Sequence, residues 1–248
     1  MTYREDRLAI GLHLPWQNSK PFHYLAERMK KTGKSKQAGF TMLEMLVVIG
    51  MSIIITAIAI PRYLTIAASL RASGDMRSLS GLLAQAKMRA AGDFTHARVY
   101  VNLTGNTYQL QAWNKAANAG AGCWVADADR TNTCLTFGGG QPSGSLFVLQ
   151  QGDTFGFNGL ATGPTPGQPT PSQAAGCLDS AGAAVGGNTA CIVFNSRGIP
   201  INATTLAPIP TGAFYLTNGS VVDAVTISAT GSIQSWSSPA SSANWYSQ

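Results

Sequence analysis

Hydrophobic and polar positions follow three regimes along this chain. Residues 40–60 read FTMLEMLVVIGMSIIITAIAI, a run in which Glu44 is the only charge. A helix rises about 1.5 Å per residue, so this stretch matches the roughly 30 Å hydrocarbon thickness of a bilayer and predicts a membrane segment. Pro61, which has no amide hydrogen, is expected to kink or interrupt the helix just past the membrane, and Gly50 marks a second weak point. Farther on, Ala72, Met76, Leu79, Leu83, Ala86 and Ala90 recur at alternating spacings of four and three. This is the stripe of an amphipathic helix packed on something, with Arg71, Asp75, Ser78, Gln85 and Arg89 outside it. That helix is expected to reach about Ala91, with Gly92 ending it.

After Gly92 the period falls to two. Residues 97–102 and 107–113 flank the turn Thr104-Gly105-Asn106 and read as a hairpin with Tyr108, Leu110 and Ala112 on one face. Further strands are expected at 145–150, 154–158, 190–195, 213–218, 221–228 and 232–236. Short strands after a single long helix predict an α+β domain. Residues 159–188 are too rich in Gly, Pro, Ala and Thr to bury a core, and read as a flexible, exposed loop, a passive insertion more than a binding loop.

Composition narrows the class. The chain has 248 residues, 45% hydrophobic and only 11% charged, against a usual charged share of about 25%. One folded domain fits; a charge-rich disordered chain or a coiled coil does not. The formal net charge of +6 invites a nucleic-acid or anionic-membrane partner. Its location removes that reading: residues 1–39 hold eight basic and three acidic side chains, the remainder nine and eight. Lys30, Lys31, Lys34 and Lys36 stand directly before the apolar run. Cations on one flank are retained in the cytoplasm, which places the body after residue 60 on the far side.

The order of these signals differs from a secretory signal, whose small-residue cleavage site follows the apolar run. Here Ala38-Gly39 precedes it, and Phe40-Thr41-Met42-Leu43-Glu44 comes next. A basic leader ending in Gly, then Phe, with Glu at the fifth position and some twenty apolar residues, resembles the type IV prepilin signature. The resemblance implies cleavage between Gly39 and Phe40 by a prepilin peptidase, methylation of the new Phe40 terminus, and retention of the helix as anchor and assembly element. It also implies that Glu44 meets the terminal ammonium of a neighbouring subunit, which would offset the few kcal/mol that an unpaired carboxylate costs in a membrane. The implied architecture is pilin-like: one long N-terminal helix, half in the membrane and half amphipathic, packed on antiparallel β-sheets. The organisation expected is a leader over 1–39, a transmembrane helix over 40–60, an amphipathic helix over 61–92 and a β-rich head over 93–248. Met29 would open a compact basic leader, which makes 1–28 a candidate misassigned start.

Ile192-Val-Phe194-Asn-Ser-Arg-Gly198, Phe214-Tyr-Leu and Val225-Thr-Ile-Ser-Ala-Thr-Gly231-Ser-Ile233-Gln-Ser-Trp236 resemble the C-terminal sheet of GspH/FimT-type pseudopilins. That resemblance implies a minor subunit of a type II secretion pseudopilus or a type IV pilus. Its partners would be other pilin subunits, the prepilin peptidase, the inner-membrane assembly platform and membrane lipid. Family members linked to DNA uptake carry a Gly-Arg-x-Arg arrangement where this chain has Gly231-Ser232-Ile233-Gln234, so DNA is an unfavoured partner. A tip adhesin, a DNA-uptake subunit or a major pilin are the alternatives.

Cys123, Cys134, Cys177 and Cys191 all lie in the body. In an oxidising compartment two local disulfides are the simplest of three connectivities, and no CxxC pair or nearby His favours zinc. No phosphate loop, H-E-x-x-H, G-x-S-x-G or dinucleotide fingerprint occurs, so neither an enzyme nor a cofactor is expected. His96 reads as an exposed strand-edge residue. Asp127 and Asp129 make a poor calcium site and read as a solvated loop. The triplets at Asn102, Asn202 and Asn218 read as turns.

Overall fold

The computed structural model describes residues 39–127, 133–138, 141–142 and 146–248. Most of the leader, the Met29 start, Asp129 and Arg130 lie outside the described residues. The chain divides into two compact units, one up to Ile54 and one from Ile55 to Gln248. The architecture is α+β, with one long N-terminal apolar helix packed on antiparallel sheets.

The helix, α1, is a single element, Met42–Gly92, and runs through Pro61 without interruption. Proline removes one donor and one intrahelical bond, and the long flanking runs of Leu, Ile, Met and Ala sustain the helix on both sides. Its end falls at Gly92, where the sequence places it. Gly92 is still helical, and the left-handed residue is Phe94 at φ 50°. The amide of Thr95 donates to the Ala90 carbonyl at 3.1 Å and that of Phe94 to Ala91 at 3.4 Å. These two bonds form a Schellman closure, which satisfies the last carbonyls whatever residue takes the left-handed position.

Ala72, Met76, Leu79, Leu83, Ala86 and Ala90, the expected stripe, are all fully buried. Leu82 and Asp75 join them. Asp75 is a correction: its charge argued for solvent, yet it is 5% exposed and accepts a 2.7 Å hydrogen bond from the Gln150 amide.

The strands in chain order are β1 (Ala97–Asn102), β2 (Thr107–Asn114), β3 (Cys123–Ala126), β4 (Phe137–Gly138), β5 (Gln141–Pro142), β6 (Phe147–Val148) and β7 (Thr154–Phe155). They continue as β8 (Thr189–Phe194), β9 (Pro200–Ile201), β10 (Thr211–Thr217), β11 (Val221–Ser228), β12 (Ile233–Pro239) and β13 (Tyr246–Ser247). One sheet has the order β3-β2-β1-β8-β9 with β6 also on β2; a second has β13-β12-β11-β10-β7; β4 and β5 pair alone. All named pairings are antiparallel. Register sets Val99 between Leu110 and Ile192, so successive apolar side chains point the same way. The helix stripe packs against Val99, Val101, Leu110, Ile192 and Phe194 of the first sheet and Phe214, Leu216, Val225 and Ile227 of the second.

Expected strands at 145–150 and 154–158 shrink to two residues each, and β3 adds to them. Residues 159–188 contain no strand, yet they are not simply exposed. Leu160, Cys177 and Val185 are buried, and backbone hydrogen bonds hold the segment to both sheets. The amide of Ala174 donates to Ala213 on β10, and the Ala175 carbonyl accepts from Cys191 on β8, both at 2.8 Å. The Gln173 side chain acts as a further piece of strand: Nε2 donates to the Tyr215 carbonyl at 2.8 Å and Oε1 accepts from its amide at 3.0 Å. Polar pairing, not apolar content, orders this seam.

Candidate functional site

The N-terminal element begins with Gly39 and Phe40, both exposed and ahead of the helix. Thr41 caps it, its Oγ1 accepting from the Glu44 amide at 3.2 Å, which puts Glu44 at the third helical position of a Thr-x-x-Glu capping sequence. The Glu44 side chain is exposed and forms no ion pair among the described residues. From Phe40 to Ile66 every residue except Gly50 is exposed. Such a continuous apolar surface is unsustainable in water and requires lipid or other helices around it.

In the head, Cys123 is bonded to Cys134 and Cys177 to Cys191. The second bridge joins the 159–188 segment to β8, beneath which Tyr100 and Val185 pack. The Asn102, Asn202 and Asn218 side chains each accept two backbone amides two and three residues ahead, which is the turn geometry read from sequence. Asp127 is ion-paired with Arg89 at 2.6 Å. His96 is half-buried and not simply an exposed edge residue; it lines a cavity, and burial together with Lys115 lowers its pKa. Ser232 and Gln234, the positions where DNA-uptake relatives carry arginine, are exposed on and beside β12.

A second electrostatic feature had no sequence signal. Asp153, 5% exposed before β7, lies close to Asp75 of α1. Burial and the Asp75 charge, with a hydrogen bond to Asp75, push its pKa up to about 6; Arg71 opposes the shift and Asp223 on β11 adds to it. A raised carboxyl pKa means that the fold favours the protonated form. The stabilising contribution is full below about pH 4 and is lost as pH rises through about 6. Asp153→Asn mimics the protonated acid and can donate to Asp75. The variant is expected to melt above wild type near pH 8, with the difference closing near pH 4. Equal gaps at the two pH values would contradict this account.

The family model of the prokaryotic N-terminal methylation motif matches residues 34–60. No curated protein and no solved structure matches the chain. The matched span takes in Gly39, Phe40, Glu44 and the apolar run, and one apolar helix of this kind fits a single-pass inner-membrane protein. The chain therefore carries the N-terminal signature of a type IV pilin-like or pseudopilin subunit.

Proposed function

We propose that this protein is a minor pilin or pseudopilin, a structural subunit of a type II secretion pseudopilus or a type IV pilus, with no enzymatic activity. The observation that carries the reading is the methylation motif placed on the capped first half of the helix, an apolar stretch exposed at every position from Phe40 to Ile66 but Gly50. Residues 40–60 hold the subunit in the inner membrane with its head in the periplasm, the side opposite Lys30 to Lys36. Before cleavage the Phe40 nitrogen is an uncharged amide; afterwards it is a cation. Glu44 then selects processed neighbours, because an ion pair formed in a low-dielectric helix stack offsets the desolvation of its carboxylate. The GspH/FimT-like C-terminal segments favour a minor subunit, and neutral Ser232 and Gln234 argue against DNA as its ligand.

The test is the intact mass of membrane-extracted protein from cells with and without the prepilin peptidase. The expected mature chain starts at Phe40 and is heavier than its sequence by one methylene. A leader retained despite an active peptidase would refute the reading. Antibody labelling along the whole filament would replace the minor subunit by a major one.

A further inference from the structure

On the face of the first sheet turned away from the helix, a cavity of about 270 Å³ is walled by Trp113, Trp124, Leu178 and Val193, with Leu206 also lining it. At its base sits Arg98 of β1, fully buried. Its guanidinium lies over the Trp124 ring at 3.9 Å. Nε donates to Oε1 of its cross-strand neighbour Gln111 at 2.7 Å, and Nη1 to the Leu178 carbonyl. Nη2 has no hydrogen-bond partner among the described residues.

Among the described residues, both acceptors of this cation are neutral. The acid that influences it, Asp179, forms no ion pair with it; its Oδ1 instead accepts the Ala181 and Ala183 amides at 2.9 and 2.8 Å. Burial lowers the Arg98 pKa to about 9, which still leaves it charged at neutral pH. His96, which with Asp179 completes the titratable side chains lining the cavity among the described residues, has its pKa lowered and adds no competing charge there. A buried guanidinium with no carboxylate hydrogen-bonded to it among the described residues is costly, and the Asp179 charge and aromatic stacking offset that cost only in part. An unpartnered donor beside an aromatic-walled hollow fits one chemistry: an anionic oxygen attached to a flat or branched apolar body.

We propose that this cavity binds a small carboxylate with an aromatic or branched apolar body, its carboxylate turned to Arg98 and its body held against Trp113 and Trp124, whose rings meet edge to face. A free aryl acid and the C-terminal residue of a peptide present the same group, and the probes below separate them. A doubly charged phosphate does not fit, since one guanidinium and apolar walls would leave most of its charge unsolvated.

The test uses the full chain in detergent and ligand-observed NMR. Phenylacetate is expected to bind, and its neutral isostere phenylacetamide at least about tenfold more weakly, the loss typical of a hydrogen bond to a charged group. Ala203→Phe, at the half-exposed edge of the cavity, should abolish phenylacetate binding without touching the buried cation. Arg98→Gln should erase the preference for acid over amide; if it does not fold, the Ala203 variant and the acid–amide comparison decide alone. N-acetyl-Ala-Phe binding more tightly than N-acetylphenylalanine would assign the site to chain termini, and the reverse order to free acids. Equal binding of acid and amide, binding unaffected by Ala203→Phe, or no binding at millimolar phenylacetate would each overturn the proposal and leave Arg98 as a packing element.

Discussion

Gly231→Ala is expected to destabilise the head by about 3 kcal/mol or more, lowering the melting temperature of the detergent-solubilised chain by on the order of 10 °C. Gly231 sits at φ 75°, in the left-handed region, in the turn before β12. A Cβ there would strike the Gly198 carbonyl oxygen, which is backbone and cannot swing aside, with Lys87 Nζ at 3.3 Å behind it. Lys87 Nζ also donates to the Gly231 carbonyl at 2.9 Å, so both turns are fastened to the helix at one point. Gly219→Ala is the control: at φ 84° it meets the same conformational penalty with nothing within 4 Å, and should lose only about 1 kcal/mol. If the two variants melt together, the contact between the Gly198 and Gly231 turns carries no weight. At Gly198 itself the obstacle is the Lys87 side chain, which can move, so alanine there should fall between the two.

Replacing both Cys177 and Cys191 by Ala should remove more than the roughly 3 kcal/mol of loop entropy that a bridge with a sequence separation of 14 contributes. The loss should exceed what loop length alone suggests, because the bridge fastens a buried cover. Leu178 supplies a carbonyl to Arg98, and Val185 packs with Tyr100 over the same sheet. Hydrogen exchange should show the Leu178–Ala184 bridge and the amide of Val185 opening first. The Cys123–Cys134 pair closes a similar loop at a separation of 11. Its removal should lower stability comparably while leaving protection at Val185 intact. Protection lost equally in both variants would show that the second bridge does not hold the cover.

The sequence revealed those features whose cause is local. The apolar run, the helix stripe, the hairpin and the three asparagine turns depend on spacing and on side chains near their own backbone. Gly39, Phe40 and Glu44 were readable because a processing signal must sit in one contiguous stretch. Other features depend on distant pairing. Asp75 looked solvent-facing because nothing in its helix shows that Gln150 will bring an amide to it. Arg98 and Gln111 alternate with apolar neighbours as exposed strand residues do, yet both are buried, Arg98 against the Leu178 carbonyl and Gln111 in side-chain hydrogen bonds to Arg98 and Gln109. Residues 159–188 have the composition of a linker, and their order comes from main-chain and glutamine hydrogen bonds that composition does not report. The helix end at Gly92 was legible, but not the residue that closes it: glycine is the common left-handed residue at such a closure, and here Phe94 takes that place.

The seam at residues 173–175 determines how the head comes apart. It precedes β8 and β10 in the chain, accepts from β8 at Ala175 and both donates to and accepts from β10 at Gln173 and Ala174, so it forms only once residue 215 is in place. Backbone groups of β8 and β10 that β9 and β7 do not pair are satisfied by these three adjoining residues, Ala175 on β8 and Gln173 and Ala174 on β10, so the melting of either sheet displaces the bonds to the other. The two sheets are thus thermodynamically a single cooperative unit, and a pull on one is shared at once by the other.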